Sequence, residues 1–71
     1  MEEIFIHTEW IGLGQFLKLA GVITEGWEAK ELLAGGEVQV GGQRETRRGR
    51  KLRPGDTVDA GGGHYLVKKK E

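Results

Sequence analysis

The 71-residue chain is long enough for one small domain, which can bury only ~60% of the surface of its unfolded chain. It contains no cysteine, so disulfides and cysteine-ligated zinc are excluded as supports for the core, and an intracellular setting is favoured. No apolar run approaches the ~20 residues of a membrane-spanning helix and the N-terminus does not resemble a signal peptide, which together predict a cytoplasmic protein.

The charged side chains are unevenly distributed along a chain whose formal net charge is zero. Residues 1–37 contain two basic and seven acidic side chains, whereas residues 38–71 contain nine basic and four acidic ones. Such asymmetry between the two halves indicates a polyanionic partner for the basic half.

The first two predicted elements are a strand and a helix. Residues 3–7 are rich in β-branched and aromatic side chains, which favours a strand. Four apolar side chains then recur at the spacing of one helical face: Leu13, Phe16, Leu17 and Ala20. They predict an amphipathic helix over residues 13–20, on which Lys18 points to solvent and after which Gly21 ends the helix.

A second helix is predicted from the residues that follow Ile23. The hydroxyl of Thr24 can cap it, and Glu25 and Glu28 suit the positive end of its dipole. One apolar stripe is formed by Ala29, Leu32 and Leu33. Gly35 or Gly36 then supplies the left-handed residue that ends a helix without steric cost.

The remaining strands are predicted between turns marked by glycine or proline. Residues 37–40 alternate polar and apolar side chains, as a half-buried strand does, and Gly41 and Gly42 suit a two-residue hairpin turn. Pro54 and Gly55 stand where a type II turn favours them. Further strands are predicted at residues 57–59 and 65–67, with a turn at residues 61–63 and a frayed tail at residues 68–71.

Catalytic motifs are missing from the sequence. His7 and His64 have no acidic or nucleophilic partner at a motif spacing, and a metal site is conceivable only if the terminal strands bring them together. Gly12 and Gly14 superficially resemble a dinucleotide fingerprint, but Leu17 occupies the third glycine position. We therefore predict no enzyme activity and no cofactor.

The strongest functional signal is a basic run at residues 43–53, in which six of eleven side chains are cationic and Glu45 alone opposes them. Such a run is often only a solvated face. This one contains five arginines and one lysine, and the planar guanidinium suits phosphate recognition and base stacking. It also lies between two turns, so a folded scaffold presents it, which favours nucleic-acid binding. Its cations are Arg44, Arg47, Arg48, Arg50, Lys51 and Arg53.

Trp27 allows two interpretations. On the helical wheel it lies about 160° from Ala29 and close to Lys30, so it faces away from the core stripe. A large aromatic ring beside a lysine is suited to stacking on a nucleobase. Alternatively, Trp27 covers an edge of the fold against Trp10 or a loop.

Together these residues resemble the RNA-binding domain named after small-subunit ribosomal protein S-four, also called the alpha-L motif. The matching residues are Leu13-x-x-Phe16-Leu17-Lys18, Ala20-Gly21, Glu28-Ala29-Lys30-x-Leu32-Leu33, Gly36-x-Val38-x-Val40-x-Gly42 and Pro54-Gly55-Asp56. The N-terminal strand and the string T-R-R-G-R-K-L are similar to the small stand-alone bacterial YaaA-like members. The resemblance implies two helices packed on a small twisted sheet and binding of structured RNA, commonly ribosomal RNA, with ribosome assembly as the process.

The chain departs from the pattern of many members, which carry basic residues at the positions of Gly12, Gly26, Glu31 and Glu37 and an acidic residue at the position of Gly14. We therefore expect the RNA contacts to be concentrated in the basic run.

We predict one α+β domain over residues 1–71, with the family motif at 13–59, in which two short helices pack on a mostly antiparallel sheet. It would bind RNA or a ribosomal particle as a monomer, without a membrane or small-molecule partner. The alternative is a protein-interaction adaptor that uses the acidic helix face and the basic run. The predicted RNA-binding residues are Lys18, Trp27, Lys30, Gln43, Arg44, Thr46, Arg47, Arg48, Arg50 and Lys51.

Overall fold

Two helices and seven strands form the regular structure in the computed structural model, which describes residues 1–71. They confirm the predicted α+β class. Neither helix combines the length and the apolar composition that crossing a membrane requires. In chain order the elements are β1 (Glu2–Ile6), β2 (Ile11–Gly12), α1 (Leu13–Leu19), α2 (Glu28–Ala34), β3 (Val38–Val40), β4 (Gln43–Arg44), β5 (Lys51–Leu52), β6 (Thr57–Ala60) and β7 (Gly63–Lys69).

Five strands form the main sheet in the order β1-β7-β6-β3-β4, and β2 pairs with β5 in a separate two-stranded sheet. All pairs are antiparallel except β1 with β7, which confirms the predicted mostly antiparallel arrangement. Strand β1 runs beside β7 as far as the pair Ile6 and Lys69. The predicted frayed tail is therefore wrong for Lys68 to Lys70, because this segment pairs with β1 and the backbone N–H of Lys70 donates to the carbonyl of Ile6 at 2.8 Å.

The second helix begins later than predicted and without the Thr24 hydroxyl as its cap. Helix α2 starts at Glu28, whose Oε2 accepts hydrogen bonds from the backbone N–H groups of Thr24 (2.7 Å) and Glu25 (2.5 Å). These bonds lower the pKa of Glu28. The carboxylate of Glu28 thus reaches back to the turn before the helix, in the direction in which the glutamate of a capping box reaches back.

Helix α2 ends in a Schellman motif, as the glycine after it predicts. Gly36 has a φ of +74°, and its N–H donates to the carbonyl of Leu33 at 3.2 Å. The N–H of Glu37 donates to the carbonyl of Leu32, also at 3.2 Å. The chain then turns directly into β3. Both central residues of the two-residue turn after β3, Gly41 and Gly42, also have positive φ, which confirms the predicted hairpin.

Both helices bury their apolar faces in the core between them and the main sheet. Phe16 of α1 is fully buried and meets Tyr65 of β7 edge-on, with ring centroids 6.3 Å apart. On α2, Ala29 and Leu33 are buried, whereas Leu32 is only half-buried at the margin of the core. The predicted stripe is therefore present, but it is centred between Ala29 and Leu33. The fourteen core residues are Ile4, Ile6, Leu13, Phe16, Leu17, Ile23, Ala29, Leu33, Val38, Val40, Leu52, Val58, Ala60 and Val67.

Candidate RNA-binding surface

The segment at residues 45–50, which we call the basic loop, is organised by the carboxylate of Glu45. The side chain of Glu45 is only 8% exposed. Its Oε2 accepts the backbone N–H groups of Thr46 and Arg47, each at 2.9 Å. The same oxygen accepts a hydrogen bond from Nε of Arg47 (3.2 Å), and Oε1 accepts one from Nη1 of Arg50 (2.8 Å). The loop is therefore wrapped around one buried anion.

This arrangement changes the electrostatics of the loop. The side-chain hydrogen bonds from Arg47 and then Arg50 hold the pKa of Glu45 well below its usual range, so the carboxylate is ionised at neutral pH. Glu45 in turn raises the pKa of Arg47. Arg47 and Arg50 are thus already paired with an anion. The other four cations of the basic run have no such partner: Arg44, Arg48, Lys51 and Arg53.

The basic loop is also fastened to the start of α1. The backbone N–H of Leu13 donates to the carbonyl of Arg50 at 2.8 Å, and that of Gly14 donates to the carbonyl of Arg48 at 2.9 Å. The first N–H groups of a helix have no intrahelical acceptor, and no side chain caps α1. The carbonyls of Arg48 and Arg50 are the acceptors instead, so the basic loop and α1 are joined by backbone hydrogen bonds.

Gly14 allows the side chain of Arg48 to lie across α1. A Cβ atom added at Gly14 would stand 2.7 Å from Cγ and 3.2 Å from Cδ of Arg48. Real Cβ atoms do not approach carbon so closely, and therefore any larger residue at position 14 must displace the arginine. Gly14, where many family members have an acidic residue, thus makes room for the side chain of Arg48.

We expect Gly14→Ala to lower the free energy of unfolding by about 1–3 kcal/mol, because the new methyl group overpacks against Arg48. This outweighs the gain of roughly 0.5–1 kcal/mol that alanine brings to a helix. Gly12→Ala is the matched control, since its Cβ meets only Oε1 of Gln15, at 3.7 Å. Urea denaturation of both variants measures the difference. Equal stabilities would show that Arg48 moves aside freely.

Two shallow depressions adjoin at Arg48, and together we call them the Arg48 surface. The depression beside α2 is lined by Lys30, Leu33, Ala34, Arg44, Thr46 and Arg48. The depression beside α1 is lined by Trp10, Gly12, Gly14, Gln15, Lys18, Arg48 and Gly49, with Gly26 at its α2 side. The fold thus brings together five of the predicted site residues, four of them cationic. No carboxylate lines either depression.

The remaining predicted residues lie beside this surface or apart from it. Arg47, Arg50 and Lys51 line a neighbouring depression with Gly49. Gln43 is exposed at the start of β4 and lines none of these depressions. Arg44 reaches back to α2, where its Nη2 donates to the carbonyl of Ala34 at 3.3 Å.

The two tryptophans do not pack together. Trp27 is 63% exposed, Trp10 is 43% exposed, and the one aromatic ring pair of the structure is Phe16 with Tyr65. The interpretation in which Trp27 covers an edge against Trp10 is therefore wrong. Trp27 lines neither depression of the Arg48 surface, whereas Trp10 does.

Trp10 and Glu45 are the residues that sequence reasoning did not assign to the site. For Glu45 the available signal was a lone carboxylate inside a run of cations. For Trp10 there was no local signal, because its neighbour Lys51 is distant in the chain and reaches the ring only through the pairing of β2 with β5.

The two histidines lie apart. The parallel pairing of β1 with β7 starts at Glu2 beside Tyr65, so His64 precedes the paired segment and His7 follows it. His64 contacts Asp59 instead. No group of three or more potential metal-ligating side chains is present.

The comparisons with known proteins agree with this architecture. The profile of the S4 domain family matches residues 4–68, a region that contains both helices and the basic loop. A Bacillus subtilis (strain 168) protein named "Probable ribosome maturation protein RlbA" is 54% identical over 59 residues, which are 83% of this chain and 83% of that protein. These matches confirm the resemblance inferred from the sequence, and the chain belongs to the S4 domain family.

Proposed function

We propose that this chain binds structured RNA through the Arg48 surface and catalyses no reaction. The observation that carries the proposal is the clustering of Lys18, Lys30, Arg44 and Arg48 around adjoining depressions that no carboxylate lines. The chain as a whole is formally neutral, so this local concentration of positive charge is the property that a polyanion would recognise. Thr46 adds a hydroxyl that can hydrogen-bond to sugar or phosphate oxygens.

Rigidity supports the same proposal. Glu45 orders the backbone of the basic loop and α1 binds its carbonyls, so the backbone that carries Arg48 has a defined position before a ligand arrives. Shape and phosphate positions dominate the recognition of folded RNA. Cations on an ordered backbone therefore suit a folded RNA better than a flexible basic tail would. Arg47, Arg50 and Lys51 extend the positive surface at one side, while Trp27 and Gln43 lie outside it.

The name of the Bacillus subtilis relative supports a specific setting for this activity. That protein is described as a probable ribosome maturation protein, and the similarity covers 83% of both chains. We propose that the RNA is ribosomal, that the process is ribosome maturation and that the chain acts as a single domain in the cytoplasm.

Arg48→Ala should weaken binding to transcribed segments of ribosomal RNA. Each lost phosphate contact also removes a released counterion, so the slope of log affinity against log salt should shrink by about 0.7–0.9. Arg53→Ala is the matched control. It removes an equal charge from the same basic run, but Arg53 lies in the turn after β5 and lines none of the three depressions.

Equal losses of affinity in the two variants would contradict the proposed surface, because only total charge would then matter. The same experiment addresses the adaptor alternative. If wild-type protein binds none of the RNA segments and its cellular partners survive nuclease treatment, a protein-binding role replaces RNA binding.

A further inference from the structure

Trp10 combines an exposed ring with a backbone that is held in place on both sides. It lies just before β2, its ring is partly exposed, and the Nζ atom of Lys51 stands 4.8 Å from the ring centroid. The hydroxyl of Thr8 donates to the Trp10 carbonyl at 2.6 Å, and the pairing of Ile11 with Leu52 fixes the chain that follows. The indole is therefore an exposed aromatic surface on a well-anchored backbone.

The depression beside Trp10 suits a flat ligand. Trp10 lines this depression and Lys51, whose Nζ stands over the ring, does not, so Lys51 leaves the depression itself unoccupied. Four of the eight lining residues are glycines, which let a ligand approach the backbone closely: Gly12, Gly14, Gly26 and Gly49. Lys18 and Arg48 line the same depression and supply positive charge beside the aromatic ring.

We infer that this depression binds one unpaired nucleotide of the RNA, with its base stacked on Trp10 and its phosphates held by Lys18 and Arg48. An aromatic ring next to cations is the combination that binds single-stranded nucleotides, because every base has a face that can stack. The inference rests on the proposed function and adds a preference for one kind of RNA. It selects RNA with an unpaired base at this position over a continuous duplex, and it assigns that role to Trp10 rather than Trp27.

Trp27 provides the contrast within the same chain. It is the more exposed of the two tryptophans, but no cation lies over its ring and it lines neither depression. An indole that lines neither depression offers a base a stacking surface without the cations of the Arg48 surface. Trp10 therefore has the better placed ring, although it has less exposed area.

The test compares a short RNA hairpin that has an all-adenosine loop with a blunt duplex of the same stem. Trp10→Ala should weaken hairpin binding roughly 5- to 150-fold, the loss of one stacked base, and weaken duplex binding much less. Trp10→Phe should restore part of the hairpin affinity, and Trp27→Ala should lose less than Trp10→Ala. In a Trp27→Phe background, the hairpin should quench the emission of Trp10, while free AMP at the same concentration should not.

A second variant adds bulk at the rim of the depression and leaves Trp10 in place. A Cβ atom at Gly49 meets no atom within 4 Å, and its φ is not positive, so Gly49→Leu projects a side chain into open space without strain. It should reduce hairpin binding while the circular dichroism spectrum stays that of the wild type. If Trp10→Ala does not fold, the hairpin affinity of Gly49→Leu tests the inference in its place.

Hairpin affinities equal to wild type in both Trp10→Ala and Gly49→Leu would overturn the inference and leave RNA binding intact. Quenching by free AMP as strong as that by the hairpin would also overturn it, because the depression would then be a mononucleotide site. Wild-type protein that binds neither hairpin, duplex nor ribosomal RNA would overturn the proposed function and this inference together.

Discussion

Replacing Leu33 by alanine should lower the free energy of unfolding by about 2–5 kcal/mol, a large part of the total stability of a small domain. Leu33 is 3% exposed and belongs to the core cluster that both helices share with the sheet. Its truncation removes buried apolar area and leaves a cavity that a short helix between two fixed ends cannot easily close. Urea denaturation followed by circular dichroism measures the loss.

Leu32→Ala is the matched control, because it makes the same chemical change one residue away on the same helix. Leu32 is half-buried at the margin of the core, so its truncation should cost clearly less than that of Leu33. Equal losses of stability in the two variants would show that Leu32 and Leu33 face the core equally, which the spacing of the apolar residues alone would allow.

Replacing Glu45 by glutamine should lower the free energy of unfolding by about 1–3 kcal/mol at neutral pH, because two backbone N–H groups and two guanidinium groups lose the negative charge of their shared acceptor. The Arg50 guanidinium, which is 36% exposed, and the backbone N–H groups of Thr46 and Arg47 supply most of this effect. The Arg47 guanidinium contributes less, because it is 71% exposed and solvent screens its ion pair. The substitution raises the net charge of the basic loop. We nevertheless expect weaker RNA binding, because the position of Arg48 depends on the order of the loop.

The stabilisation by Glu45 should depend on pH in a defined direction. Its pKa in the folded protein is lowered, whereas an unfolded glutamate titrates near a pKa of about 4.3. The stabilisation is therefore fully present above about pH 5 and is lost as the pH falls below about 4.3 towards the lowered pKa. The stability difference between wild type and Glu45→Gln should shrink over this range.

Other carboxylates do not obscure this measurement. The pKa values of Glu9 and Glu28 are also lowered, the first by Lys69 and the second by backbone N–H groups, but both residues are present in either protein. Their contributions cancel in the difference. A difference that stays constant from neutral to acid pH, or tighter RNA binding by Glu45→Gln, would contradict the role assigned to Glu45.

The sequence alone was sufficient for the parts of the fold that depend on neighbours along the chain. Helical spacing identified both helices, and Gly36 and Gly41 marked the places where the backbone must leave a helix or reverse between strands. The basic run was recognised from the high proportion of arginine and lysine at residues 43–53. These features are local, since the conformations open to each residue and the period of its apolar neighbours determine them.

Only the tertiary structure decided how the site is assembled. Arg48 meets Gly14, Lys51 meets the ring of Trp10, and Glu45 is buried within the basic loop, although a run of charges read in isolation appears wholly solvated. The first two contacts join residues more than thirty positions apart, through the pairing of β2 with β5 and the capping of α1 by the loop. No local pattern encodes such contacts, because they arise from the closing of long loops as the shared core forms.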